Sequence, residues 1–271
     1  MNTVLKIGAM GALASLAGIG VLAQNQNSSA TRFVMGETGK IFGAPARSWA
    51  KLAGDGSVLE AGFTLSYDSV ARATFPKADP NMKMDSPAAM PPPLVELNFP
   101  KEVQDTTFFD HLDVYWNPVG HPPVYGVPHF DMHFFTINKA AVASIDCKDL
   151  SQADPSLLAK GYVPTVPPNA TPDKVCIPRM GFHSLPAGDL GLKPGEFSKT
   201  MMAVYYGGKL NAIEPMISRD ALLEKKSFSL NVPQLASLGR ATRYPGKFEA
   251  RFDAKASTYN LIFSDFVGTQ K

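Results

Sequence analysis

Four of the chain's five histidines lie between residues 111 and 133, and the fifth follows at position 183. They are His111, His121, His129, His133 and His183, and two aspartates, Asp113 and Asp131, stand among the first four. Imidazole nitrogens and carboxylates are the groups that bind transition metals and transfer protons near neutral pH. Their concentration in one segment therefore predicts a metal site or a proton-transfer site.

The stretch that follows Pro128 alternates polar and apolar residues one by one, which is the period of a β-strand. Its polar face would hold His129, Asp131 and His133, and its apolar face Phe130, Met132 and Phe134. The aromatic content and the preceding proline favour a strand over a helix. Residues 111–116 repeat the design, with His111, Asp113 and Tyr115 on the polar face. We expect these two strands, joined by the Pro- and Gly-rich loop 117–128, to pair and combine their polar faces.

Strand geometry limits which residues can share one ion. Same-face neighbours are about 7 Å apart and residues four apart about 13 Å, whereas a zinc–nitrogen bond is about 2 Å long. His129 and His133 could therefore share an ion only through a bulge or strong twist. We expect Asp131 to bind an ion with one flanking histidine and with donors from elsewhere, namely His111, His121 or His183. A zinc-protease helix is excluded, because Phe130 stands where its signature needs glutamate.

Buried histidine and aspartate side chains also form hydrogen-bond networks that serve only the fold. This explanation is the better one for any single histidine, but the confinement of all five to residues 111–183 favours a functional cluster. The predicted ligands of zinc or another divalent transition metal are His121, His129, Asp131, His133 and His183. The catalytic candidates are Asp113 and His111, which could act as a general base if the ion activates water.

The composition indicates a chain rich in strands and turns. Hydrophobic residues make up 45% and charged residues 18%, which fits a substantial core, and 23 prolines and 22 glycines indicate many turns. The predicted fold is mainly β, an antiparallel sandwich or a barrel-like sheet, with a few short helices. The predicted organisation is a signal peptide at 1–23, a disordered segment at 24–32 and a single β-rich domain at 33–271.

Residues 1–23 have the features of a signal peptide. Lys6 is the only charge, an apolar run covers 7–22, and small residues precede a cleavage site after about Ala23. An uncleaved membrane anchor is disfavoured, because the run is short and rich in glycine and alanine. We therefore predict a secreted or periplasmic protein without a membrane span after processing. The mature chain is nearly neutral, which argues against nucleic acid or an anionic membrane as a partner.

The two cysteines, Cys147 and Cys176, flank a loop of turn residues. In an oxidising compartment they are expected to form a disulfide, which would contribute roughly 3–4 kcal/mol on the chain-entropy model. A pair of thiol metal ligands is the disfavoured alternative.

Alternation and turn residues also predict hairpins and short helices elsewhere. The hairpins are 46–52 with 58–67, and 201–206 with 210–214, and two last strands are expected at 248–252 and 258–263. The helices are expected after Asp68 to Ala73, at 139–145 after Asn138, and at 218–226.

Several short motifs are spaced along the chain: Tyr115–Pro118, Gly120–Pro123, Val127–Phe134, Pro178–His183, Lys209–Leu210 and Glu214–Ile217, with Ala46–Trp49 at an early hairpin. Together they resemble the motifs of a family of secreted bacterial proteins catalogued as a domain of unknown function. Two departures from the family pattern are Phe135 in place of a tyrosine and a shorter turn at 206–209. The resemblance implies a secreted β-rich protein, leaves homo-oligomer formation open, and brings no established reaction.

Three hypotheses follow from the sequence. The first is a secreted metalloprotein that stores an ion or uses it as a Lewis acid. The second is a metal-free ligand-binding or envelope-stress protein whose pocket takes an apolar or aromatic small molecule. The third is a structural homo-oligomer. A metal-free enzyme is the weakest alternative, because the chain has no Gly-x-Ser-x-Gly motif and its cysteines are expected to be oxidised.

Overall fold

A computed structural model describes residues 30–74, 92–121, 123–165, 170–235, 238 and 241–269. The predicted signal peptide and residues 24–29 of the predicted disordered segment lie outside these ranges. The first strand begins at Arg32, which is the last residue of that segment.

Strands dominate the described chain and helices are short. The strands are β1 (Arg32–Ile41), β2 (Ala44–Leu52), β3 (Val58–Ser66), β4 (Val95–Asn98), β5 (His111–Asn117), β6 (His129–Phe135), β7 (Tyr162–Pro164), β8 (Phe182–Pro186), β9 (Lys199–Tyr206), β10 (Lys209–Ser218), β11 (Phe228–Leu230), β12 (Thr242–Tyr244), β13 (Lys247–Asp253), β14 (Thr258–Ser264) and β15 (Val267–Thr269). The helices are α1 (Tyr67–Arg72), α2 (Lys101–Thr106), α3 (Lys139–Ala143) and α4 (Arg219–Leu223).

The strands form two large antiparallel sheets and one small one. The six-stranded sheet has the order β1-β2-β3-β14-β13-β11, and the seven-stranded sheet has the order β4-β5-β6-β10-β9-β8-β7. Strands β12 and β15 pair separately. The prediction of a mainly antiparallel β fold with a few short helices is confirmed, and the described strand order leaves both large sheets open rather than closed into a barrel.

One apolar cluster lies between the two large sheets. The seven-stranded sheet contributes alternate residues of β5 and β6, including Leu112, Val114 and Phe134, and the six-stranded sheet contributes Phe263 among others. The ring of Phe109 joins the sheets, since its centroid lies 5.6 Å from that of Phe134 and 4.9 Å from that of Phe263. This cluster fixes which face of β5 and β6 points away from the core.

The face of the seven-stranded sheet that points away from this core is also buried, because loops and helix α3 cover it. Met180 and Val142 pack on Phe135 in one small cluster, and Phe197 and Tyr125 pack with sheet residues in another. Polar side chains on this outer face are therefore shielded from water.

Cys147 and Cys176 form the predicted disulfide, with their Cα atoms 5.8 Å apart. Disulfides persist in oxidising surroundings, which suggests an extracellular or periplasmic location. Within the described residues, no helix has the length and apolar character needed to cross a membrane.

Of the three helix starts predicted from the sequence, two agree with the structure. Asn138 caps α3 by accepting a hydrogen bond from the backbone N–H of Ala141 at 2.9 Å, and Ser218 caps α4. The first helix begins earlier than predicted: Ser66, not Asp68, is its cap, since the Ser66 hydroxyl accepts from the Asp68 backbone N–H. The hydroxyl of Ser66 is available because β3 ends there, so the chain enters the helix directly.

Candidate functional site

Strands β5 and β6 pair antiparallel and place their polar residues on the same outer face. The register sets Asp113 opposite His133, and Tyr115 opposite Asp131. Their alternate residues pack in the central core. The predicted pairing of the two strands and the combination of their polar faces are confirmed.

Strand β10 adds a carboxylate that sequence reasoning missed. Its register with β6 pairs Ile213 with Phe134 and Met216 with Asp131, which places Glu214 beside His133. Glu214 is 2% exposed. Its one signal in the sequence is an acidic residue within the otherwise largely apolar strand that follows the Gly207-Gly208 turn.

Three buried residues from three strands meet at one point, and we call them the Glu214 group: His133 on β6, His183 on β8 and Glu214 on β10. The Nε2 atom of His133 lies 3.5 Å from Oε1 of Glu214, and the Nε2 atom of His183 lies 3.4 Å from Oε2. Neither approach is a hydrogen bond. Both ring nitrogens of His133 and Oε2 of Glu214 lack a hydrogen-bond partner among the described residues.

Burial sets the protonation of the Glu214 group. It lowers the pKa of His133 to about 3, with the neighbouring His183 contributing, and it lowers the pKa of His183 to about 4. Both imidazoles are therefore neutral at neutral pH, which is the form that binds metals. Burial raises the pKa of Glu214 well above its usual range, and the negative charge of Asp131 adds to this. A cation among the three residues would favour the carboxylate form.

A second cluster, which we call the Asp131 group, consists of His121, His129 and Asp131. His129 Nε2 lies 2.9 Å from Asp131 Oδ1, and His121 Nε2 lies 3.1 Å from Oδ2. The side-chain amide of Asn117 donates a hydrogen bond to the same Oδ2. His129 Nδ1 lies 2.6 Å from the Val127 carbonyl oxygen, an orientation that points Nε2 at Asp131.

The charges of the Asp131 group compensate each other. Burial opposes the ionisation of Asp131, yet the positive charge of His129 and the hydrogen bond from His121 hold its pKa well below the usual range. Burial also opposes a charge on His129, but Asp131 raises the pKa of that histidine. Asp131 therefore favours the protonated form of His129 in the metal-free protein, whereas the Glu214 group has no such internal counter-charge.

His111 and Asp113, the catalytic candidates, belong to a separate buried network. His111 Nδ1 lies 2.9 Å from Asp110 Oδ1, and its Nε2 lies 3.6 Å from Asp113 Oδ1. Arg179 approaches Asp113 at 3.4 Å and also contacts Glu96. Burial raises the pKa of Asp113 to about 6. Neither catalytic candidate belongs to the described residues that line the cavity beside the two groups.

A cavity of about 630 Å³ opens beside the two groups. Its polar end is formed by His121, Asp131, His133, His183 and Glu214, and its remaining walls are mostly apolar. His129 lies behind Asp131 and does not line it. Leu190, which is 61% exposed, marks the rim. The structure thus brings the five predicted ligands to one region but divides them between two groups.

The spacing in the Glu214 group matches that of metal ligands. With zinc bonds of about 2.1 Å, two ligands of a tetrahedral ion are about 3.4 Å apart. The distances of 3.4 and 3.5 Å, which end on the two different oxygens of Glu214, have this size, and one ligand atom from each of the three residues lies within 4.8 Å of the others. In the Asp131 group the distances of 2.9 and 3.1 Å are shorter, as expected where charges attract directly.

Residues 54–116 match the model of a family described as TTHB210-like, hypothetical protein TTHB210. This is less than a quarter of the chain, so the similarity supports a domain of unknown function and extends to His111 and Asp113. The motifs after residue 116, and with them all residues of the Glu214 and Asp131 groups, lie outside the match. No curated protein and no solved structure matches the chain.

Proposed function

We propose that this protein binds a divalent transition-metal ion through His133, His183 and Glu214. The observation that carries this proposal is the unpartnered state of the buried nitrogens of His133 and of Oε2 of Glu214, at the spacing of metal ligands. Leaving a buried polar atom without a partner costs about 1–3 kcal/mol. An ion bound through one nitrogen of His133 and one oxygen of Glu214 removes this cost at the atoms that bind it.

Zinc is the ion that we propose. Two imidazole nitrogens and one carboxylate oxygen suit zinc, and the same three-ligand set with a fourth position open is typical of catalytic zinc sites. The fourth position would face the cavity, because His133, His183 and Glu214 all line it. The bound ion would therefore be accessible to a small molecule, for storage or for hydrolytic chemistry.

The Asp131 group is the second metal site that we propose. The approach of His129 Nε2 to Asp131 Oδ1 at 2.9 Å supports it, since the lone pairs of both atoms can face one ion once Nε2 has lost its proton. This ion would have to compete with the proton that Asp131 favours on His129. We therefore expect weaker binding here than at the Glu214 group.

We further propose that the chain is exported by the segment 1–23 and works outside the cytoplasm. The Cys147–Cys176 disulfide supports this part of the proposal. Edman sequencing or mass spectrometry of the exported protein should find a new N-terminus just after Ala23. An intact leader on the exported protein would contradict it.

Elemental analysis tests the metal proposal. The mature protein is purified without a polyhistidine tag, dialysed against a weak chelator and compared with Glu214→Gln, His183→Gln and Asp131→Asn. We expect the wild type to retain zinc, and both changes in the Glu214 group to remove the tightly held ion. Asp131→Asn should remove only the weaker one. Asp113→Asn changes a buried carboxylate on the same sheet face and serves as the matched control.

The metal content of the variants shows which of the two groups holds the tightly bound ion. Loss of the tight ion on changing Asp131, with retention after changing Glu214, would reverse the assignment. Wild-type protein that holds no transition metal, although it is folded and its disulfide is formed, would refute metal binding at both groups.

A metal-free ligand-binding protein is the second candidate function, and the cavity of about 630 Å³ favours it. Cavities of this size with mostly apolar walls are typical of small-molecule sites. Homo-oligomer formation stays a prediction, and light scattering across a range of protein concentrations tests it.

A further inference from the structure

The walls of the cavity are suited to the apolar tail of a ligand. Away from its polar end they are formed largely by Val124, Val163, Ile177, Leu185, Met202 and Met216. Leu190 at the rim is a large apolar residue that remains exposed, so the apolar surface continues to the opening. Methionine side chains adapt to ligands of different shape.

Among its described lining residues, the polar end offers no lysine or arginine to an anion, so an anion needs a bound metal there. It carries the carboxyl groups of Asp131 and Glu214. A divalent ion in the Glu214 group brings two positive charges against one carboxylate. The loaded group then attracts an anion to the open coordination position.

We propose that the cavity binds a small amphipathic carboxylate, whose head coordinates the ion of the Glu214 group while its apolar tail lies along Leu185 and Met216. This proposal rests on the proposed metal function. It adds the chemical class of the ligand and makes anion binding depend on the metal.

The contacts around the cavity support a preformed site. Asp189 precedes Leu190 at the rim, and its carboxylate accepts hydrogen bonds from the Tyr125 hydroxyl at 2.9 Å and from Thr200 at 2.6 Å. Thr200 lies on β9 of the seven-stranded sheet, so this hydrogen bond attaches the rim to a strand. A ligand would enter without reordering this part of the wall.

Titration calorimetry with octanoate tests the proposal, with octylamine and 1-octanol as probes that share the tail. Zinc content is measured first. We expect octanoate to bind the zinc-loaded protein at least tenfold more tightly than the metal-free protein, and 1-octanol to show no dependence on zinc. Each methylene added from hexanoate to octanoate should raise the affinity about fourfold.

A cavity-filling variant separates the tail contacts from metal binding. Val163→Trp changes a lining residue on the edge strand β7, and Val267→Trp, at an exposed position on β15, is the matched control. Val163→Trp should keep the zinc and lose at least tenfold in octanoate affinity, whereas Val267→Trp should change neither.

The results distinguish this inference from the function on which it rests. Protein that holds zinc but does not bind octanoate, or binds it equally without zinc, overturns the inference alone. Preference of the metal-free protein for octylamine, with no octanoate binding after zinc loading, also overturns it. Absence of bound zinc overturns the proposed function and the inference together.

Discussion

Replacing Glu214 with glutamine should change stability in opposite directions in the metal-free and the zinc-loaded protein. Glutamine has nearly the same shape but cannot carry the charge. The Glu214 carboxyl is 2% exposed, its Oε2 has no hydrogen-bond partner among the described residues, and burial raises its pKa well above the usual range. Glutamine avoids the cost of keeping this buried carboxyl protonated, or of burying its charge, and so should raise the free energy of unfolding of the metal-free protein by ~1–3 kcal/mol at neutral pH.

With zinc bound, the wild type should be more stable than the Glu214→Gln variant. A ligand at a thousand times its dissociation constant stabilises the native state by ~4 kcal/mol. Changes beside a metal ligand already weaken binding about 10- to 100-fold, so losing the carboxylate of Glu214 should cost at least about 100-fold. The variant should therefore gain at least ~2.7 kcal/mol less from zinc than the wild type does.

Guanidinium chloride unfolding, followed by the fluorescence of Trp49 and Trp116, measures both effects. Each protein is unfolded once with a chelator present and once with excess zinc, and Asp113→Asn is the control for loss of a buried carboxylate. The control should keep the full gain from zinc. A metal-free Glu214→Gln protein that is less stable than the wild type, with its gain from zinc intact, would refute the reasoning and identify Glu214 as a structural hydrogen-bond partner.

Three further predictions concern the fold. Asp113→Asn should stabilise the protein increasingly, relative to the wild type, as pH rises from about 4 to about 7; burial raises the native pKa of Asp113 from 3.8 to about 6, so the native state binds this proton more tightly and loses up to ~3 kcal/mol as it dissociates. Unfolding at several pH values checks this, and a difference that does not vary with pH contradicts it. Replacing Cys147 and Cys176 with serine should lower the free energy of unfolding by ~3.5 kcal/mol for a separation of 29 residues; an unchanged denaturation midpoint contradicts it. Phe109→Ala should cost ~3–5 kcal/mol, because its ring packs between the two large sheets, and a loss below about 1 kcal/mol in the same assay would show that this ring does not hold the sheets together.

Periodicity in the sequence was enough to predict which residues of β5 and β6 share a face. Because side chains alternate along a strand, the pattern at His129–Phe135 allows only one assignment of core and outer face once the strand is recognised. The 11 residues between the two strands are too few for a parallel crossover, which makes antiparallel pairing the simplest arrangement. Capping residues such as Asn138 could also be predicted, because a cap forms its hydrogen bond with a backbone N–H only two or three residues further along the chain.

The composition of the Glu214 group could not be read from local patterns. Strand β10 lies beside β6, and β8 lies beyond β9 in the same sheet, although long stretches of chain separate these strands from β6. Sheet order over such separations depends on the packing of the whole chain. Glu214 was therefore missed. His183 was predicted as a metal ligand, but the sequence did not show which residues it would lie beside. His111 shows the converse: it shares the polar face of β5, but its register sets it opposite Phe135.

The burial of the outer sheet face is the strongest argument that its polar residues serve a function. An antiparallel sheet commonly exposes one face to water, and polar residues there cost little. Here loops tied by the Cys147–Cys176 disulfide help to cover that face, so His133 and Glu214 lie where a charge is expensive and a partner is needed. Apolar residues of similar volume would stabilise such a sheet at least as well. A purely structural role therefore gives no reason for this carboxylate and these imidazoles, whereas a bound cation accounts for their types, spacing and burial together.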